Sequence, residues 1–250
     1  MNKDLDMTGR TVLVTGSGRN IGRACLLEFA RAGANVVVNS RRNAAEANAV
    51  ADEARQLGAK AVVALGDVSK PADVTGIVET ARKAFGSVDI YVSCAAVRRS
   101  QPLLEIADED WNSILTSNLS AAFYLAKRLV PDMLAKKWGR IIHISGNDGF
   151  RGSPNRSHNV ASKSGLHGFT KAIAKELGPH GITVNTVVPG VFNTVRNYPG
   201  WSAEKWAKEN PLGRLGDPTE LAWLCLFLAS TRSGYMTGQA FHANGGENMY

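Results

Sequence analysis

Asn159 and Lys163 stand four residues apart in "SPNRSHNVASKSGLHGF" (153–169), a spacing that puts both side chains on one face of a helix. An asparagine amide can hydrogen-bond a carbonyl oxygen, but it does not ionise near neutral pH and cannot supply a proton. Two neighbours offer proton chemistry instead. His158 titrates near neutrality, although an ideal helix rotates it by about 100° from Asn159, so it reads either as an acid or as a packing residue. Asp148, in the loop after "RIIHISG", is a base if buried and a solvated loop carboxylate if not. A second cluster suits phosphate. In "TGSGRNIGRACLLEF", the turn Gly16, Ser17, Arg19, Asn20, Ile21 and Gly22 opens a helix, and its backbone N–H groups and helix N-terminus would face a diphosphate. Ser40, Arg41 and Arg42 end the next apolar run, where an acidic group would favour a free ribose diol. Two guanidinium groups, with Arg19 in the turn, suit a 2′-phosphate better, so NADP(H) is expected over NAD(H).

The elements that position these groups follow from periodicity. Continuous apolar runs at 11–16, 35–40, 61–66, 90–95, 140–146, 182–190 and 239–245 read as strands buried on both faces. Helical patterns alternate with them over 21–32, 44–57, 74–85, 111–135, 162–177 and 218–228. Strict alternation predicts a Rossmann-type α/β fold, a doubly wound seven-stranded parallel sheet with helices on both faces. With no linker or repeat, the 250 residues read as one dinucleotide-binding domain.

Bulk properties remove other classes. No apolar run is long enough to cross a membrane and the start "MNKDLDMTGR" lacks a signal peptide's apolar stretch, so a soluble, cytoplasmic protein is expected. The net charge of +7 is scattered rather than gathered into a basic run, which argues against nucleic acid and for an anionic small molecule. Cys25, Cys94 and Cys225 lack metal-ligand spacing and read as reduced core thiols, and no metal is expected.

In order along the chain, these motifs resemble the short-chain dehydrogenase/reductase (SDR) family, especially its 3-oxoacyl carrier-protein reductase-like members. "TGSGRNIG" is similar to the TGxxxGxG turn, with Asn20 replacing a frequent glycine. The resemblance implies that Asp67 and Val68 of "GDVS" hold the adenine, and that Cys94, Ala95 and Ala96 of "SCAA" stand where the family has NNAG. It gives Asn118 of "TSNLSAAF" the role of anchoring a water and backbone relay. In "PGVFNT", Pro189, Gly190, Val191 and Thr194 match the clamp on the nicotinamide carboxamide. Lys163 matches the lysine that binds the nicotinamide ribose and lowers the pKa of a tyrosine four residues before it; that tyrosine position is Asn159. The family's spacing puts its catalytic serine at Gly146, while Ser145 points to the opposite face of its strand. Some enoyl reductases of the superfamily place the tyrosine seven residues before the lysine, where this chain has Arg156.

The resemblance also implies a substrate lid over 192–211, whose Tyr198, Trp201 and Trp206 either close over an aromatic or flat ligand or pack the lid to the body. It implies a homotetramer or homodimer as well. Three functions stay open: an atypical NADP(H)-dependent oxidoreductase acting on a small organic substrate through an altered proton relay; a lyase, isomerase or hydrolase using the same pocket with bound nucleotide; and a non-catalytic NADP(H)-binding sensor or subunit.

Overall fold

The computed structural model describes residues 3–196 and 201–249. Seven parallel strands, β1 (Thr11–Val14), β2 (Asn35–Ser40), β3 (Ala61–Leu65), β4 (Ile90–Ser93), β5 (Gly139–Ile144), β6 (Ile182–Pro189) and β7 (Ala240–Ala243), form one sheet ordered β3-β2-β1-β4-β5-β6-β7. The order reverses between β1 and β4, and the crevice at the C-terminal ends of the strands there is where such sheets take ligands.

Both faces of the sheet are covered, as the unbroken apolar runs require. Along β1, Val12 and Val14 enter one core while Leu13 enters the other; along β2, Val36 and Val38 oppose Val37 in the same way. The first core packs α1 (Asn20–Arg31), α2 (Ala44–Gln56) and α9 (Pro218–Ala229) against the sheet, and the second packs α3 (Pro71–Phe85) and α5 (Ala121–Lys136). Local signals fix several ends. Asn43 Oδ1 caps α2 by accepting from Glu46 N–H at 3.1 Å, and Asp217 with Glu220 forms a capping box on α9.

Three of the expected helices depart by more than one residue from the periodic reading, and strand ends shift by up to two residues. Helix α3 begins at Pro71 rather than Val74, because proline is tolerated in a first helical turn. The expected helix over 111–135 is α4 (Asp108–Leu115) and α5, joined by a π-helical turn, Thr116–Ser120, that carries Asn118. Helix α7 (Ser157–Leu177) starts five residues before the expected Ser162, so Asn159 and Lys163 lie on one continuous helix. Asp148 is in α6 (Asp148–Arg151), a single helical turn rather than a loop. Among the described residues no helix is long and apolar enough to cross a membrane, and no three His, Cys, Asp or Glu side chains gather as a metal site.

Candidate functional site

The glycine turn is built by exclusion of side chains and by one buried asparagine. A Cβ on Gly16 would lie 2.9 Å from Ala95 Cα, and one on Gly22 would lie 2.4 Å from Gly16 O, so neither position has room for a methyl group. Gly16 N–H donates to Asn39 Oδ1 at 3.2 Å, while Asn39 Nδ2 donates to Ala64 O and Gly66 O at 3.0 and 3.3 Å. Ser17 is fully buried and committed: its N–H donates to Asn39 O at 2.9 Å and its Oγ accepts from Asn39 N–H at 3.0 Å. Asn20 adopts φ +53°, left-handed backbone that asparagine tolerates better than most side chains, which explains its use where the family often has glycine. Its Oδ1 accepts from Val195 N–H at 3.0 Å and ties the turn to the segment after β6. The first helical bond of α1 runs from Arg23 N–H to Arg19 O, and no side chain caps the helix. The donors before Arg23, Ile21 and Gly22 included, are therefore open to an anion.

At the end of β2, the exposed Arg41 and Arg42 make no hydrogen bond or ion pair among the described residues, and neither does the guanidinium of Arg19. Ser40 O accepts from Gly66 N–H at 3.0 Å, which joins β2 to the loop after β3. In that loop Asp67 Oδ1 accepts from Ser69 Oγ and Ser69 N–H at 2.7 and 3.0 Å. Burial pushes the Asp67 pKa upward, but these bonds and nearby Arg41 outweigh it and hold the carboxyl below its ordinary value. Val68 is buried in the second core.

The segment after β4 is fastened at both ends. Thr15 Oγ1 accepts from Cys94 N–H and Ala95 N–H at 3.0 and 3.2 Å, and Ala96 follows at the surface. Asn118, 3% exposed, grips Val97 twice: Oδ1 accepts from its N–H at 2.8 Å and Nδ2 donates to its carbonyl at 2.9 Å. Asn118 Nδ2 also reaches Ser162 Oγ at 3.2 Å, and Ser162 Oγ donates to Asn159 O at 2.8 Å. One chain of hydrogen bonds thus connects the β4 segment to α7.

On α7, Lys163 is buried and its Nζ donates to Ile144 O at 2.9 Å. Burial, with the charge of Arg98 second, lowers its pKa from 10.5 to about 8. A lysine whose pKa is lower folded than unfolded opposes folding while it is forced to carry charge. That penalty is full below pH 8 and is relieved as pH rises from about 8 to 10.5. The stability of Lys163→Met relative to the native chain is therefore expected to be greatest near pH 7 and to decline toward pH 10, measured by urea unfolding at each pH.

Asn159 is 2% exposed; its Nδ2 donates to Arg99 O at 2.7 Å and its Oδ1 is buried with no partner among the described residues. The donor side of the amide is engaged with backbone. His158 is fully buried, accepts from Asn159 N–H at Nδ1 (3.0 Å), and so presents Nε2–H to Gln101 Oε1 at 3.3 Å; burial lowers its pKa and keeps it neutral. Asp148 is held by Arg156 at 2.7 Å and Arg151 at 3.8 Å rather than solvated. Ser145 Oγ lies 3.0 Å from His167 Nε2, away from Gly146, where an added Cβ would meet nothing within 4 Å. Ser145 is 1% exposed and His167 Nδ1 has no partner among the described residues, so this serine–histidine contact lacks both access and an orienting acid there for nucleophilic work.

Beyond β6, Gly190 passes so close to the residue after β7 that a Cβ would lie 2.7 Å from Asn244 Cα. Following Pro189, the last residue of β6, Val191 gives its carbonyl to Gly216 N–H at 3.1 Å, and its own N–H has no acceptor among the described residues. Thr194 Oγ1 accepts from Arg196 Nε at 3.1 Å, and the Arg196 guanidinium stacks 4.3 Å over the Trp201 ring. Of the lid aromatics, Trp206 lies on α8 (Ala203–Glu209), and Tyr198 falls outside the described residues.

A doubly wound parallel sheet with an uncapped glycine turn at its switch point places the chain among the Rossmann-type α/β proteins. Residues 16–248 match the family model described as Enoyl-(Acyl carrier protein) reductase. The chain is 37% identical over 247 residues to the 3-oxoacyl-[acyl-carrier-protein] reductase FabG of Escherichia coli (strain K12), covering 98% of this chain and 100% of that one. It is 35% identical to the FabG of Chlamydia muridarum over 242 residues, covering 96% and 98% of the two. The crystal structure of a putative short-chain alcohol dehydrogenase from Sinorhizobium meliloti 1021 superposes with a TM-score of 0.93 at 30% identity, covering 98% of each chain. The chain belongs to the short-chain dehydrogenase/reductase family of oxidoreductases.

Two contributors to the site escape sequence reading. Asn39 and Thr15 look like ordinary polar residues at strand ends, and only the parallel pairing of β1 with β2 and β4 reveals that they fasten the turn and the β4 segment.

Proposed function

We propose that this chain is a cytoplasmic NADP(H)-dependent oxidoreductase whose substrate needs little help from a general acid, such as an activated alkene, quinone or iminium. The observation that carries the reading is the cradle of unspent donors. The open N-terminus of α1 suits a diphosphate, and Arg19, Arg41 and Arg42, committed to no other group among the described residues, suit a 2′-phosphate. The residues present therefore fit the cofactor, with Asp67 and Val68 at the adenine, Lys163 at the nicotinamide ribose, and Val191 N–H and Thr194 at the carboxamide. When bound, NADPH supplies the hydride that the reduction transfers.

The chain's own residues then orient and polarise rather than protonate. Asn159 and Gly146 stand at the positions the family pattern gives to tyrosine and serine, and neither holds a transferable proton. Loss of general acid catalysis costs about 10²- to 10⁴-fold in rate, which directs the chemistry to substrates whose reduced form is already stabilised. Lys163, protonated near pH 7, keeps a positive charge at the base of the cleft. Asn118 holds the β4 segment that forms the cleft wall. The reading includes a homodimer or homotetramer, supported by an open groove of about 480 Å³ lined by Leu119, Phe123, Tyr124 and Phe169, where Phe123 is 46% exposed.

NADPH consumption is to be followed with quinones, activated alkenes, cyclic imines and simple ketones, with products identified by mass. Turnover of one class, lost in Lys163→Ala, is the expected result; no oxidation of NADPH by protein shown to bind it overturns the redox reading. Arg41→Ala/Arg42→Ala is expected to weaken NADPH binding at least tenfold and leave NADH binding within about twofold, since each charge-assisted contact contributes about 1.5–3 kcal/mol. Parallel fluorescence titrations check both numbers.

A further inference from the structure

Arg98 is mounted in the cleft with no hydrogen-bond or ion-pair partner among the described residues. The residue before it, Val97, is clamped through both backbone groups by Asn118 at 2.8 and 2.9 Å. The residue after it is clamped twice, with Arg99 O accepting from Asn159 Nδ2 at 2.7 Å and its guanidinium paired with Asp110. Between these clamps the Arg98 side chain is exposed and makes no hydrogen bond or ion pair among the described residues. The charges that act on it most among the described residues are those of Lys163, Arg156 and Arg196, with Asp148 as the opposing acid. That acid is already engaged by Arg156 and Arg151. Positive charge therefore exceeds negative at the cleft wall, and a rigidly based guanidinium can offer two parallel N–H donors at little ordering cost.

We propose that Arg98 anchors an oxyanion subsite, so that the substrate carries a carboxylate, and that Asn159 is a positioning residue which aims Arg98 by pinning the Arg99 carbonyl. This names the substrate class of the oxidoreductase proposed above and rests on that reading. It also gives Asn159 a use consistent with its chemistry, since an amide that cannot move a proton is a good fixed donor to backbone.

The test uses formate, acetate, butyrate and benzoate, each against its primary amide, titrated by calorimetry into the full chain with and without saturating NADP⁺. At least one carboxylate is expected to bind tenfold or more tightly than its amide. Arg98→Gln is expected to remove that preference, Arg98→Lys to keep part of it, and Asn159→Ala to weaken it several-fold, with the NADP⁺ Kd of the Arg98 variants within about twofold of native. Circular dichroism confirms that each variant is folded. Two results overturn the proposal: no carboxylate exceeds its amide, or Arg98→Gln weakens NADP⁺ and spares the carboxylate, which would assign Arg98 to the cofactor's diphosphate. Failure to bind NADP⁺ at all would overturn the proposed function instead, while the titrations without nucleotide would still decide the subsite.

Discussion

Gly146→Ser combined with Asn159→Tyr is expected to raise NADPH-dependent reduction of a simple ketone at least about 10²-fold over the native chain, because it returns a general acid and an oxyanion donor together. The backbone accepts the first change, since a Cβ at Gly146 meets nothing within 4 Å. It positions the second, since residue 159 precedes Lys163 by one turn of the continuous helix α7. Lys163, with its pKa near 8, is protonated at neutral pH and would favour the ionised form of an adjacent phenol. Either change alone restores only one of the two groups and should give a smaller gain. The double variant also gives up the bond from residue 159 to Arg99 O, so a modest loss of stability is expected alongside the gain in rate. Steady-state rates on one ketone, with Lys163→Ala added as a third change, decide the matter. An unchanged rate in a folded double variant would show that these positions do not face the reacting carbonyl.

The second large effect concerns the glycine turn. Gly22→Ala would place a methyl carbon 2.4 Å from Gly16 O and 2.9 Å from Gly16 C, and both are backbone atoms that cannot rotate away. The turn must open or α1 must shift, at a cost of about 1–3 kcal/mol for forced overpacking. NADP⁺ binding is expected to fall at least tenfold, because the donors of the turn and of α1 move relative to one another. Gly76→Ala supplies the contrast: it lies inside α3, its Cβ meets nothing within 4 Å, and alanine is the better helix former by about 1 kcal/mol. That variant should melt at or above the native temperature and bind NADP⁺ normally. Equal NADP⁺ affinity in the two variants would remove the turn from the cofactor site.

Much of the architecture was legible because it rests on period-two burial and on local punctuation. The runs "TVLV" and "NVVVNS" are β-branched, alternate between two cores, and end in turn residues, so their strand character needs no tertiary information. The π turn at Thr116–Ser120 was not legible, because "TSNLS" fits an ordinary helical pattern and the bulge arises where Asn118 turns inward to hold Val97. The early start of α7 was hidden by the polar run around Asn155 and Arg156, which reads as a loop until Gln101 and Arg99 are seen to receive its first side chains. Arg98 was lost among scattered charges. What sets it apart is that, among the described residues, a side chain whose two neighbours are fixed has no partner, and that property exists only in three dimensions.

The buried Asn39 has a practical meaning for engineering nucleotide choice. On the proposed NADP(H) reading, a designer wishing to change the nucleotide would rewrite the end of β2, and the adjacent asparagine joins the glycine turn to the end of β3 and the loop after it through its own side chain. Replacing it along with its neighbours would change preference and dismantle the pocket in the same step, and the two outcomes would look alike in an affinity measurement. The editable letters are Ser40, Arg41 and Arg42, which lie at the rim and hold none of the turn's side-chain bonds. Position 39 is the fixed letter of that word, and a library that varies all four would discard most of its members for a reason unrelated to specificity.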